Sequence, residues 1–141
     1  MEKIKFDSGV QEFRLGGCGV LRFNPGDPNV FARFMESAKK MEELEKDLSK
    51  EAKALEETDT QGMMALMQRT DGKIKELLGW VFGPANDFDS ILGGVSLLAV
   101  ADNGQRVIAN LFDALRPVLE DGAKRCARQA AAGIKARRNA K

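Results

Sequence analysis

The stretch from Pro28 to Glu57, PNVFARFMESAKKMEELEKDLSKEAKALEE, holds no Gly and no Pro after its first position. Phe31, Phe34, Ala38, Met41, Leu48, Ala52 and Leu55 recur at a spacing that places them along one stripe of a 3.6-residue period. Glu36 precedes Lys40, and Glu42 precedes Lys46, by one helical turn, the favourable order for such pairs. Asp27 suits an N-cap, and Pro28 falls at the first helical position, where its missing N–H costs nothing. The pattern predicts a long amphipathic helix over about 28–57, and the rest of the fold is read outward from it.

Upstream, the period changes to two. Ile4 and Phe6 alternate with Lys3 and Lys5, Phe13 and Leu15 with Glu12 and Arg14, and Leu21 and Phe23 flank Arg22. With Ser8-Gly9 and Gly16-Gly17 as turns, this predicts three short strands in an antiparallel β-meander over 1–26. Asn24-Pro25-Gly26-Asp27-Pro28 ends the sheet. Gly16-Gly17-Cys18-Gly19 lacks the Lys-Ser/Thr of a phosphate loop and reads as a hairpin turn.

Downstream, Thr58-Asp59-Thr60 breaks the helical pattern with capping residues. A second helix is expected over about 60–82, with Met64, Met67, Ile74, Leu77, Leu78 and Val81 inward, Gly62 and Gly72 weakening its first half, and Gly83-Pro84 stopping it. Asp87 caps a short helical turn over about 88–92 that Gly93-Gly94 terminates, and Val95 to Val100 reads as helical. Asp102-Asn103 caps a last helix over about 103–138, whose stripe is Val107, Ile108, Leu111, Leu115, Val118 and Leu119, kinked or broken near Pro117. From Ala123 the chain turns to Ala, Lys and Arg, good helix formers with little to bury, and its last dozen residues are expected to fray. The fold class is therefore mainly α with a small N-terminal antiparallel β-meander, an α+β chain in one domain. Its parts are the meander (1–26), a helical body (27–122) and a basic tail (123–141).

Composition narrows the function. The chain has 141 residues, 43% apolar and 30% charged, which suits one folded core. It has no His and no Tyr, so the commonest general base, proton shuttle and metal ligand is missing. Cys18 and Cys126 are too few and too far apart for a CxxC metal site and are expected as free thiols. No enzyme activity, metal or cofactor is expected. A net charge of +1 sets up no global field toward nucleic acid or membranes. No apolar run reaches membrane-spanning length, and the opening Met-Glu-Lys-Ile-Lys lacks a secretory apolar stretch, so a soluble cytoplasmic protein is expected.

Several features suggest contacts. Met63, Met64 and Met67 cluster at the head of the second helix and, with Met35 and Met41 on the first, form the candidate partner-binding set. Flexible thioethers suit surfaces that accept varied apolar partners, while core filling is the competing explanation. Trp80 could anchor a partner but is read as closing the core between two helices. The basic tail, with Lys124, Arg125, Arg128, Lys135, Arg137, Arg138 and Lys141, could meet phosphates. Complementing the helix dipole and solubilising the end explain it better, because no aromatic residues interleave. Asp87, Asp89, Glu42 and Glu43 are assigned to capping and solvation. Phe34, Met41, Leu48 and Leu55 make a weak a/d seam interrupted by Ser37 and Glu51, which can pack within the chain or between two copies.

The runs Ile4 to Val10 (IKFDSGV), Leu21 to Asn29 (LRFNPGDPN), Phe31 to Phe34 (FARF), Phe88 to Val95 (FDSILGGV) and Asp102 to Leu111 (DNGQRVIANL) together resemble the tail assembly chaperones encoded in tail modules of siphophages and prophages of Firmicutes. The resemblance spans about Lys3 to Ala123. It implies a protein of the bacterial host cytoplasm that binds the long helical tape-measure protein, keeps it soluble, helps recruit tail-tube protein, and is absent from the finished virion. Other roles compatible with the sequence are a structural minor tail or head-tail joining protein, and a small DNA-binding regulator acting through the basic C-terminal helix.

Overall fold

The computed structural model describes residues 1–17 and 19–139, with Asn139 described by its backbone alone. The described residues form a two-stranded hairpin, β1 (Gln11–Leu15) and β2 (Gly19–Phe23), followed by α1 (Pro28–Lys53), α2 (Thr60–Phe82), α3 (Phe88–Ile91) and α4 (Val107–Asn139). The chain is thus mainly helical with a small N-terminal antiparallel sheet. No described helix is long and apolar enough to cross a membrane.

The stripe on α1 does what its spacing predicts. Asp27 accepts from the Asn29 N–H at 2.9 Å, Pro28 opens the helix, and Val30, Phe34, Ser37 and Met41 are buried. Ala38 is exposed, and Ser37 takes its place in the core because its hydroxyl donates to the Phe34 carbonyl. The helix stops at Lys53, four residues before its expected end. The backbone at Ala54 and Leu55 already bonds three residues back instead of four. Asp59 then caps α2 by accepting from the Gly62 N–H at 2.8 Å.

α1 and α2 lie antiparallel. Arg33 near the start of α1 donates to the Val81 carbonyl in the last turn of α2, at 3.0 Å, satisfying a terminal helix acceptor. Phe34 and Met41 are buried, and Leu48 packs against the core, so the inward seam of α1 is used largely within the chain.

The sheet differs from the expected meander: it has two strands, and residues 1–10 form none. Ile4 and Phe6 are 88% and 81% exposed, so pairing them would bury no apolar face. Asp7 accepts from the Gly9 N–H, Gly9 adopts a φ of 76°, and Asn24 donates to the Ser8 carbonyl, which together hold this segment as a turn beside the end of β2. The hairpin pairs Gln11 with Phe23 and Leu15 with Gly19, and Gly16 (φ 60°) lies in its turn. Cys18 lies outside the described residues. Phe23 joins the hairpin to the helices through its ring, 4.9 Å from that of Phe82.

The region 95–100, expected as helix, is a turn segment. Gly93 and Gly94 before it sit at φ 62° and 81°, conformations that end a right-handed helix. Leu97 and Leu98 are buried nonetheless, because the Leu97 carbonyl accepts from Ile108 and its N–H is held by Asp71. Asn103 does not cap α4 as expected. It closes a tight turn by accepting from the Gln105 N–H, with Gly104 at φ 83° and a bridge between Val100 and Arg106, so the helix begins at Val107. From there α4 is continuous through Pro117, which faces solvent, and the tail expected to fray is helical to Asn139. Ile108, Leu111, Leu115 and Leu119 complete the core. Gly122 is required where α4 crosses the Pro25-Gly26 turn, since a Cβ there would stand 1.8 Å from the Pro25 carbonyl oxygen.

Candidate functional site

One line of α2 side chains, Met64, Met67, Asp71, Lys75 and Gly79, with Gly72 and Glu76 beside it, faces the loop from Pro84 to Ala99. Between them runs a groove of about 920 Å³. The residues of α2 fall there at steps of three and four, the spacing of one helix face.

The floor is polar and fixed. Lys75, 8% exposed, places its Nζ 2.9 Å from Asp71 Oδ2 and 2.7 Å from Asp89 Oδ1. Asp71 also accepts from the Leu97 N–H through Oδ1 at 2.8 Å. One ammonium thereby ties α2 to α3 and to the segment that follows it. Burial pushes the ammonium toward its neutral form, but hydrogen bonds to Asp89 and Asp71, reinforced by their charges, outweigh it and raise the pKa above the ordinary 10.5. Lys75 is therefore a fixed cation, the opposite of a lysine prepared for nucleophilic attack.

At the far end Asn86, also buried, acts as a strand partner. It accepts from the Arg22 N–H and donates to the Arg22 carbonyl, both at 2.8 Å, and donates to the Phe82 carbonyl at 3.0 Å. Its amide completes the edge of β2 and locks the hairpin to the end of α2. Asp87 accepts from the Asp89 N–H and the Ser90 hydroxyl, the capping role expected of it, whereas Asp89 serves the ion network. Among the described residues no group of three or more Cys, Asp and Glu side chains is arranged to hold a metal.

The candidate methionines separate. Met64 (56% exposed) and Met67 form one end of the groove. Met63 points round the helix into a smaller depression of about 470 Å³ with Leu48, Ala52 and Arg106, shared with Met67. Met41 is buried in the core beside Ile74 and Leu98, where it fills space between α1 and α2 and lines the bottom of a separate small pocket. Met35 is exposed on α1 near the level of Val81, about 20 Å along the hairpin from Met64 by helical rise. The groove therefore retains two of the five, Met64 and Met67.

Trp80 does not close the core. It is 40% exposed on the outer side of the α1–α2 pair, with the Lys40 ammonium 3.9 Å above its ring. Cys126 is a half-buried free thiol on α4. The residues that build the groove floor, Asp71, Lys75 and Asn86, carry only a faint sequence signal. Asp71 and Lys75 are an acid-first i,i+4 pair that flanks Ile74 on the inward stripe, where solvated charges do not belong.

Comparison of the chain with protein-family models, with curated proteins and with solved structures finds no match.

Proposed function

We propose that this protein is a non-catalytic tail assembly chaperone of a siphophage or prophage, which binds the tape-measure protein and helps bring tail-tube subunits to it. The groove along α2 carries this reading. Its lip is two flexible thioethers, its middle is opened by Gly72, and its floor is held by the Lys75 clamp. Such a surface suits an amphipathic helix laid along it, with apolar anchors against Met64 and Met67. A largely helical partner offers many such segments. The resemblance of the sequence supplies the partner class, and the fixed charge of Lys75 together with the missing His supports a binding role.

The test is co-expression with the tape-measure protein. The expected result is soluble tape-measure protein that co-purifies with this chain, and loss of both in Gly72→Leu. A Cβ at Gly72 meets nothing within 4 Å, so the leucine side chain starts into open space on the groove, and circular dichroism checks that the variant is folded. A tape-measure protein that stays insoluble, or that binds Gly72→Leu equally well, overturns the proposal.

A further inference from the structure

Beyond the residues that pack on the body, α4 continues as a helix over 124–139. Apart from the half-buried Cys126, its described side chains there are exposed. It carries Lys124, Arg125, Arg128, Lys135, Arg137 and Arg138 and no acidic residue. Ala127, Ala131 and Ile134, at steps of four and three, give it one face of short and apolar side chains. Lys124, Arg125 and Arg128 border a cleft with Gln11, Phe13 and Pro25; beyond them the helix is solvated all round and gains little from tertiary packing, the usual source of helical stability.

The groove on α2 is complementary to it in charge, relief and length. Asp71, Glu76, Asp87 and Asp89 set four carboxylates against the single ammonium of Lys75. Gly72, where a Cβ would meet nothing within 4 Å, leaves room for a neighbouring helix with small side chains to approach closely. At 1.5 Å per residue, the groove from Met64 to Gly79 and the helix over 124–139 are each about 22–24 Å long. The extension cannot turn back onto α2 of its own chain, because α4 is unbroken from Val107 to Asn139.

We propose that the basic extension of α4 from a second copy of this chain lies in the acidic groove of the first, so that the free protein self-associates and covers the surface meant for its partner. This rests on reading the groove as a helix-binding surface. The tape-measure helix then competes with the extension for the same seat, and partner binding releases the copies from one another.

Sedimentation equilibrium of the full chain tests it, with circular dichroism confirming that each variant is folded. Association is expected at about 50 mM salt and much weaker at about 500 mM, where screening reaches a few ångströms. Gly72→Leu, Glu76→Arg, and the double variant Arg128→Glu/Lys135→Glu each weaken it, by roughly tenfold or more if about 1.4 kcal/mol of contact is lost. Mixing Glu76→Arg with Arg128→Glu/Lys135→Glu restores association between unlike copies. A wild-type chain that stays monomeric, association untouched by Gly72→Leu, or a monomer whose extension shifts duplex DNA instead overturns the proposal. The double variant keeps the groove intact, so its capture of tape-measure protein reports the proposed function separately. Failure of that capture while the wild-type chain still self-associates removes that function and leaves the self-docking in place.

Discussion

Replacing Lys75 with Met keeps most of the side-chain volume and removes the charge, so its cost falls on the two carboxylates left behind. The Asp89 side chain is 67% exposed and regains water when the ammonium goes, so its share is that of a surface pair, about 0–1 kcal/mol. The Asp71 side chain is 12% exposed and still receives the Leu97 N–H, but its charge becomes uncompensated in the protein interior. Breaking one partner of a buried pair costs about 3–5 kcal/mol, so Lys75→Met should lose about 3 kcal/mol after allowance for the retained hydrogen bond. Urea unfolding followed by helical circular dichroism measures this as a lower midpoint at unchanged slope. Adding Asp71→Asn removes the stranded charge while the amide oxygen still accepts from Leu97, so the double variant should recover most of the loss. A single-variant loss below about 1 kcal/mol, or a double variant no better than the single, refutes the clamp.

Asn86→Ala strands the Arg22 N–H and two carbonyls, and at about 1–3 kcal/mol per buried unsatisfied group should cost about 3 kcal/mol, with the Arg22 amide among the first to lose hydrogen-exchange protection. Gly122→Ala should destabilise strongly because its Cβ meets the Pro25 carbonyl oxygen at 1.8 Å, whereas Gly72→Ala, facing open space in an exposed helix, should stabilise by about 0.5–1 kcal/mol; comparing their melting temperatures checks both. The Lys75 pKa is raised by folding, so the stability it contributes is fully present below the ordinary lysine value of 10.5 and is lost as pH rises through the higher folded-state value. Alkaline titration should therefore lower the stability of the wild type over a range in which Lys75→Met shows no corresponding loss.

Where one-dimensional periodicity coincided with a buried face, the sequence was legible. α1, α2 and α4 follow their apolar stripes, and the caps at Asp27, Asp59 and Asp87 are where short acceptor side chains precede helical patterns. Alternation without burial misled: Ile4 and Phe6 have the period of a strand, but no surface lies opposite them. The short apolar run from Val95 to Val100 misled for a related reason. Burial of Leu97 and Leu98 is real, yet their backbone groups are satisfied by Asp71 and the first turn of α4, partners distant in sequence. The groove was half legible. Met64 and Met67 were singled out, with Met63, by residue type and clustering at the head of α2, and type alone could not separate the buried Met41 from them. Asn86 looked like a loop residue, since its three bonds reach back across the chain to Arg22 as well as to Phe82.

A groove that receives a helix has to stay open while empty, against the tendency of apolar walls to close on one another. Had position 75 been leucine and position 71 alanine, the wall formed by α3 and Leu97 could collapse onto α2 and bury the floor. The Asp71–Lys75–Asp89 network sets a fixed separation instead, because the short ion pairs and the bond to the Leu97 N–H hold only at one spacing of the two walls. On the proposed reading, rigid polar struts below and adaptable thioethers at the lip would divide the work: the first would preserve the opening, and the second would adjust to the apolar side chain of a bound helix. Apolar replacement of the floor can therefore leave the protein as stable, or more so, and still remove binding. A loss of capture in a variant of undiminished stability would identify the polar floor as a device for function rather than for folding.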